Sequence, residues 1–272
     1  MKVVAVVSGK GGVGKSALAC SMAGIIARDG KKCLLFDANI GLPNCDLYCG
    51  VEPGCTLGHI VRDNRDLRDA VVPLASGAHL ISGGSGWNEL AELGPKEIEG
   101  LAVAALELGK EYDHIILDCG PGFGSRVAPF LSIADAVLVV TSADPASLTD
   151  AYAMLKFVWG HNPNANSGFA VNFAPTAAQG RSAADQFKMV VGQFLSREAE
   201  LWGVIRTDPH VARACAERKP YAEAFPLAPA SQDTIDVANW VMGIKAVDEP
   251  ETSMLERLKS AFGKKQESQE AA

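Results

Sequence analysis

The chain has 272 residues, 48% of them hydrophobic and 21% charged, ordinary proportions for a globular protein that exclude a disordered, collagen-like or disulfide-stapled chain. Its formal net charge of −7 argues against nonspecific nucleic-acid binding, which rests on neutralising phosphates. Seven cysteines, an odd number, follow no leader-like segment, so free thiols in a reducing cytoplasm are expected, and no apolar run approaches the ~18 residues of a membrane span.

Residues 3–7 (Val-Val-Ala-Val-Val) form a short β-branched apolar run, the pattern of a buried strand. Glycines follow, and residues 16–28 then carry apolar side chains at helical spacing. Residues 33–36 predict a second buried strand ending at Asp37. Residues 38–60, rich in Gly, Pro, Asn and Cys, read as a long functional loop. Further strands are expected at 80–82, 114–117 (ending at Asp118), 136–141, 169–171 and 203–205. Helices are expected at 95–109, which begins with Pro and ends with Gly, and near 145–159, 182–194 and 231–244. Strands alternating with helices predict an α/β fold with a mainly parallel central sheet flanked by helices. The expected organisation is a main α/β domain over 1–245, a linker over 246–252, an amphipathic helix over 253–265 and a disordered tail over 266–272.

Gly9-Lys10-Gly11-Gly12-Val13-Gly14-Lys15-Ser16 fits G-x-x-x-x-G-K-S/T, placed between a buried strand and a helix start. Glycines let backbone N–H groups approach phosphates, and the helix N-terminus adds its positive dipole end. Lys15 then reaches the β- and γ-phosphates, and the Ser16 hydroxyl binds Mg²⁺. Asp37 and Asp118 each end a short apolar strand, the edge of an open α/β sheet where ligands bind. The plainer alternative for both aspartates is a cap on the turn after a strand.

The run from Lys10 to Ser16 resembles the K-G-G-x-G-K-S/T signature of the deviant-Walker-A ATPases, the MinD/ParA family. The resemblance implies a P-loop fold, ATP and Mg²⁺ as ligands, and an ATP-bound homodimer. In that dimer the first lysine, here Lys10, reaches the partner subunit's nucleotide, so hydrolysis waits for dimerisation. Asp118-Cys119-Gly120-Pro121-Gly122 resembles the family's switch II, which implies that Asp118 holds Mg²⁺ through water and that the Gly122 amide senses the γ-phosphate. Asp37 to Leu47 resembles switch I, which implies a catalytic place for Asp37. The segment departs from the family at Asn39, where a second aspartate commonly positions the attacking water. The base site carries over to Asn172, reading adenine, and to Asp208.

Cys45, Cys49 and Cys55 are spaced too widely for the tight pairs of structural zinc sites and are expected to be small buried thiols. The five histidines show no ligand spacing and are expected to be structural or at the surface. Between residues 253 and 265, Met254, Leu255, Leu258, Ala261 and Phe262 fall on one helical face, with Glu256, Arg257, Lys259 and Lys264 on the other. Such a helix suits an anionic membrane surface; its alternative is packing on its own domain. The runs 39–50, 143–152 and 222–226 resemble the flagellar branch of the family. That branch implies a cytoplasmic, peripherally membrane-bound ATPase that sets the number or placement of flagella, with a protein activator or polar partner. That branch usually carries an N-terminal extension with a partner-binding motif. Here the first strand starts at residue 2, so contacts of that extension are not carried over. The alternatives are a division-site ATPase, a DNA-partition ATPase, against which the acidic charge speaks, and an ATP-dependent synthetase on the same fold.

Overall fold

In the computed structural model, which describes residues 1–84, 90 and 92–243, eight strands form one sheet. They are β1 (Lys2–Val7), β2 (Cys33–Ala38), β3 (Val71–Pro73), β4 (His79–Ile81), β5 (His114–Cys119), β6 (Ala136–Ser142), β7 (Asn166–Ala174) and β8 (Glu200–Arg206), in the order β3-β4-β2-β5-β1-β6-β7-β8. Every pairing is parallel except that of β3 with β4. The helices are α1 (Lys15–Arg28), α2 (Cys45–Cys49), α3 (Leu57–Asp63), α4 (Pro95–Gly109), α5 (Ala128–Ile133), α6 (Pro145–His161), α7 (Ala177–Leu195), α8 (Pro209–Ala216), α9 (Tyr221–Ala224) and α10 (Pro229–Gly243).

Side chains alternate along a strand, so an apolar run feeds two cores at once. On β1, Val3, Ala5 and Val7 join one core, built with α4 to α7 through residues such as Leu101, Phe130, Leu155 and Phe187. Val4 and Val6 join the other, where Leu18, Met22 and Ile26 of α1 meet Val237 and Val241 of α10. Burial on both faces is why these strands read as continuous hydrophobic segments. Parallel strands also bring the ends of β1, β2 and β5 to one edge of the sheet, because their registers align Val6 with Asp118 and Asp37 with Asp118.

The expected loop over 38–60 is not structureless: α2 lies within it and α3 begins in it. The α2 helix has five residues, too few to show a period, and it starts where the Asn44 and Cys45 amides meet the Asp37 carboxylate, a partner that no local pattern announces. Strand β3, a three-residue edge strand ending in proline, and helices α5, α8 and α9 were not expected either. Of the three thiols expected to be buried, only Cys45 is; Cys49 and Cys55 are half-buried. No helix among the described residues is long and apolar enough to cross a membrane. The linker over 246–252, the amphipathic helix over 253–265 with Met254, Leu255, Leu258 and Phe262, and the tail over 266–272 lie outside the described residues.

One core group makes a test. His114 starts β5 opposite Lys2, is 4% exposed, and neither ring nitrogen has a hydrogen-bond partner. Burial, then the nearby Lys2 charge, push its pKa down from 6.5 to about 4. The imidazole is therefore neutral in the fold and readily protonated in the unfolded chain. Its contribution is complete above pH ~6.5 and is lost as the pH falls from there to about 4, at most about 3 kcal/mol. His114→Leu removes a polar group that satisfies no partner. Thermal melts between pH 4 and pH 7.5 are expected to show a smaller acid-induced loss for the variant than for the native chain; parallel slopes would refute the assignment.

Candidate functional site

β1 runs directly into the glycine loop. Gly12 (φ 81°) and Gly14 (φ 82°) take left-handed backbone conformations that a side chain would strain. A Cβ at Gly9 would overlap the Asp150 carbonyl of α6, and one at Gly14 would overlap the Asn172 amide. Around Gly11 and Gly12, by contrast, nothing lies within 4 Å of where a Cβ would stand. The loop is thus packed against protein at its two ends and opens on free space at its centre, a cradle of the shape that phosphates fill. Val13 is buried, and Ser16 sits half-buried in the first turn of α1.

Lys15 is buried, and its Nζ lies 2.5 Å from Asp118 Oδ1. Burial works against its charge, but the Asp118 carboxylate more than offsets this and holds its pKa above the ordinary lysine value. Lys10 is exposed at the same loop. Its charge is felt by Asp144, whose pKa is lowered first by the Ser142 hydroxyl, then by the Ser147 amide, and by Lys10 as a smaller influence.

Asp37 is fully buried. Its Oδ2 accepts from the Asn44 and Cys45 amides, both at 2.9 Å, and its Oδ1 from the Asn39 amide at 3.2 Å. Burial, and then the neighbouring Asp118 charge, push its pKa up to about 7, although those three amides pull the other way. The Asn39 side chain turns back on its own loop, its Nδ2 donating to the Leu42 carbonyl at 2.5 Å. The segment 39–42 faces residues 120–127 across a pocket of about 650 Å³, and Arg126 Nη1 donates to the Ile40 carbonyl at 3.2 Å to join the two sides. The Gly122 amide donates to the Ser8 carbonyl at 2.9 Å, a bond it must release to meet a phosphate.

Asn172 stands beside the glycine loop, with Nδ2 donating to the Val13 carbonyl at 2.8 Å and Oδ1 accepting from the Phe173 amide. Asp208 caps α8, its Oδ1 accepting from the His210 amide at 2.9 Å and its Oδ2 from the Ala230 amide at 3.1 Å. Lys15, Asp37 and Asp118 thus converge, Asn172 borders them, and Asp208 is taken up in joining α8 to α10.

Sequence reading missed one member of this cluster. Cys45 Sγ lies 3.4 Å from Asp118 Oδ2, and Asp37, Cys45 and Asp118 each offer a ligand atom within 4.8 Å of the others. The Asp37-capped helix folds residue 45 back to the strand end, and no spacing in the sequence signals it. The two carboxylates of this cluster offer the oxygen ligands that a hard divalent cation such as Mg²⁺ takes; Lys15 now supplies the opposing charge.

The sheet order, the glycine loop and the paired carboxylates define a P-loop nucleotide-binding protein. Residues 1–171 match the model of the AAA domain family. The chain is 31% identical over 231 residues to the antiactivator FleN of Pseudomonas aeruginosa, covering 85% of this chain and 82% of that one. It is 32% identical over 220 residues to the flagellum site-determining protein YlxH of Helicobacter pylori, covering 80% and 74%. The fold matches the septum site-determining protein MinD of Pyrococcus horikoshii, solved with Mg-ADP, with a TM-score of 0.76 at 22% identity over 88% of this chain and 95% of that one. The chain belongs to the MinD/ParA family of P-loop ATPases, as the Lys10–Ser16 signature led one to expect.

Proposed function

We propose that this protein is a nucleotide-switched ATPase that binds ATP with Mg²⁺, dimerises when ATP is bound, associates with the membrane and sets the number or placement of flagella. The observation that carries this reading is the buried Lys15–Asp118 pair at an open glycine loop, with Lys10 exposed beside it. Lys15 is held on Asp118 until a phosphate competes for it. With Lys15 drawn to the phosphates, Asp118 and the Ser16 hydroxyl would hold Mg²⁺, which would neutralise charge on the β- and γ-phosphates. In this reading Asp37 and Asn39 place the attacking water, and Asn172, beside the glycine loop, reads the base. Asp208, engaged as a cap, supports the base-side loop through its backbone.

Dimerisation has a surface to use. Leu42 (80% exposed) and Phe123 (49% exposed) line or flank the pocket between 39–42 and 120–127, on the face that carries Lys10. Closing two such faces covers this apolar surface and brings each Lys10 toward the other subunit's nucleotide. The flagellar role is supported by FleN and YlxH, whose names state an antiactivator and a flagellum site-determining protein. In this reading 1–245 is the ATPase domain, 246–252 a linker, 253–265 a peripheral membrane helix on the inner face of the cell membrane and 266–272 a free tail.

Sedimentation tests the membrane half. With ATP, the full chain is expected to pellet with vesicles containing anionic phospholipid, and a chain lacking 252–272 to stay in solution while hydrolysing ATP. Phe262→Glu should nearly match the truncation, because it places a charge on the inserted face at a cost of a few kcal/mol. Equal pelleting by the full and truncated chains would refute the membrane role. Counting flagella on cells lacking the protein tests the other half: an unchanged number and position would refute it.

A further inference from the structure

A second cluster lies behind the nucleotide site and is not used by the chemistry above. Cys20 belongs to α1, one helical turn after Ser16, and is 1% exposed. Cys45 and Cys49 stand one turn apart on α2. Cys20 and Cys45 share one core, and Cys49 packs against it. The Cys45 and then the Cys49 thiol, ahead of burial, push the pKa of Cys20 well up, so both stand close to it in this core. Cys45 in turn reaches Asp118, so sulfur atoms link α1 and α2 directly to the carboxylate that holds Lys15.

The array opens at one end only. Cys45 is buried like Cys20, whereas Cys49 is half-buried and lines a pocket of about 400 Å³ with Leu74, Ser76, Arg218, Lys219 and Glu223 among its walls. The next residue, Gly50, is left-handed (φ 66°), and a Cβ there would overlap the Arg218 carbonyl, so this pocket wall is packed tightly around the end of α2. A small oxidant in the pocket therefore meets Cys49 first. Any sulfenic acid formed there has a second thiol already beside it.

We propose that Cys49 is an oxidative modification site for hydrogen peroxide and that Cys20 resolves it to a Cys20–Cys49 disulfide tethering α1 to α2. In the first step the Cys49 sulfur attacks one peroxide oxygen, the O–O bond breaks, and Cys49 becomes a sulfenic acid as water leaves. In the second, the Cys20 sulfur attacks the Cys49 sulfur, the S–O bond breaks, and the oxygen departs as water with the Cys20 proton. Two thiols lose two electrons, and peroxide takes them up. The tether joins the helix that carries Ser16 to the helix whose first amides cap Asp37. It thus resists any movement of α2 when nucleotide binds. This last consequence rests on the ATPase reading; the disulfide itself does not.

The test treats the nucleotide-free full chain with hydrogen peroxide, blocks remaining thiols, and maps cysteines by mass spectrometry without reduction. A Cys20–Cys49 linked peptide pair is expected before Cys55 or Cys215, both half-buried, is oxidised. Cys20→Ser should leave Cys49 as a sulfenic acid that dimedone captures, and Cys49→Ser should leave Cys20 and Cys45 reduced. Oxidation of Cys49 no faster than that of Cys55 and Cys215, or a dominant pair that omits Cys49, would overturn the site. If Cys49→Ser lowers the melting temperature, Cys49→Ala serves instead. ATP turnover of the oxidised native chain should fall at least tenfold and return with dithiothreitol, while Cys49→Ser keeps its turnover in peroxide. A disulfide that forms and leaves turnover unchanged would overturn the coupling. Absence of turnover in the reduced protein would count against the ATPase reading alone, because the linked peptides are read by mass.

Discussion

Lys15→Ala is expected to abolish nucleotide binding, and Lys10→Ala to leave binding intact while losing roughly 10³–10⁵-fold in hydrolysis, the scale of an arginine finger supplied in trans. The two lysines are five residues apart in one loop and differ in every physical respect. Lys15 is buried with its Nζ on Asp118, inside the phosphate cradle. Its removal takes away the cation that a phosphate would meet. It also leaves Asp118, fully buried beside Asp37, without the charge that balances it, a loss that costs several kcal/mol for a buried pair. Melting curves must therefore accompany the binding assay, and Lys15→Gln, which keeps a donor near Asp118, separates lost binding from lost folding. Lys10 is exposed, with its charge felt at Asp144, so Lys10→Ala is expected to leave the fold and the cradle alone. Binding of a fluorescent ATP analogue, size-exclusion chromatography with ATP and phosphate release decide the matter. A Lys10 variant that hydrolyses ATP at the native rate shows that the charge is not supplied across the dimer.

Asn39→Asp is expected to raise turnover, most clearly when the dimer is saturated with ATP. A carboxylate orients water through a stronger, charge-assisted hydrogen bond and can accept its proton, and general-base assistance is typically worth ~10²–10⁴-fold. Asn39 keeps the shape without the charge, so it retains only the part of this effect that comes from orientation. The structure adds a counter-effect. Asn39 Nδ2 donates to the Leu42 carbonyl, a bond an aspartate cannot make, worth about 1 kcal/mol. The new charge would also join Asp37, already pushed up to about 7, and Asp118. The variant is therefore expected to loosen the 39–42 loop in the absence of nucleotide while hydrolysing faster in its presence. If turnover changes by less than about threefold, roughly 0.7 kcal/mol of barrier, Asn39 serves the loop alone and the water is placed by other groups.

The parts of the fold legible in the sequence were those where one local signal suffices. Residues 3–7, 33–36, 114–117 and 136–141 are apolar because both faces of each strand are buried, and the structure puts all four at the centre of the sheet. Pro95 and Gly109 mark α4 at both ends. The glycine loop is legible because its spacing and its strand–helix setting coincide. What was not legible depends on distant partners. The α2 helix begins at a carboxylate seven and eight residues back. Strand β3 exists only because β4 pairs with it. Cys45 belongs to the Asp37–Asp118 cluster through the fold of α2, and its spacing from Cys49 and Cys55 carries no trace of that. Asp208 could be placed beside a strand end from sequence, but not that both its oxygens would be spent on the amides of His210 and Ala230.

The sheet has two poles, and the chain leaves the described domain at the one remote from the phosphate loop. Lys2, the first residue of β1, donates from its Nζ to the Met242 carbonyl at 2.9 Å, one residue before α10 ends at Gly243. The glycine loop follows the other end of the same strand, and six residues of strand span about 20 Å. An anchor attached after residue 243 therefore grips the molecule by its base. A subunit held at a surface in this way presents its glycine loop outward, toward whatever diffuses past. Two subunits standing side by side on that surface must tilt or hinge at the anchor before their loops can meet. In the membrane-bound dimer proposed above, the reach of the anchor would therefore set how readily the switch closes, adjustable without altering a single residue around the nucleotide.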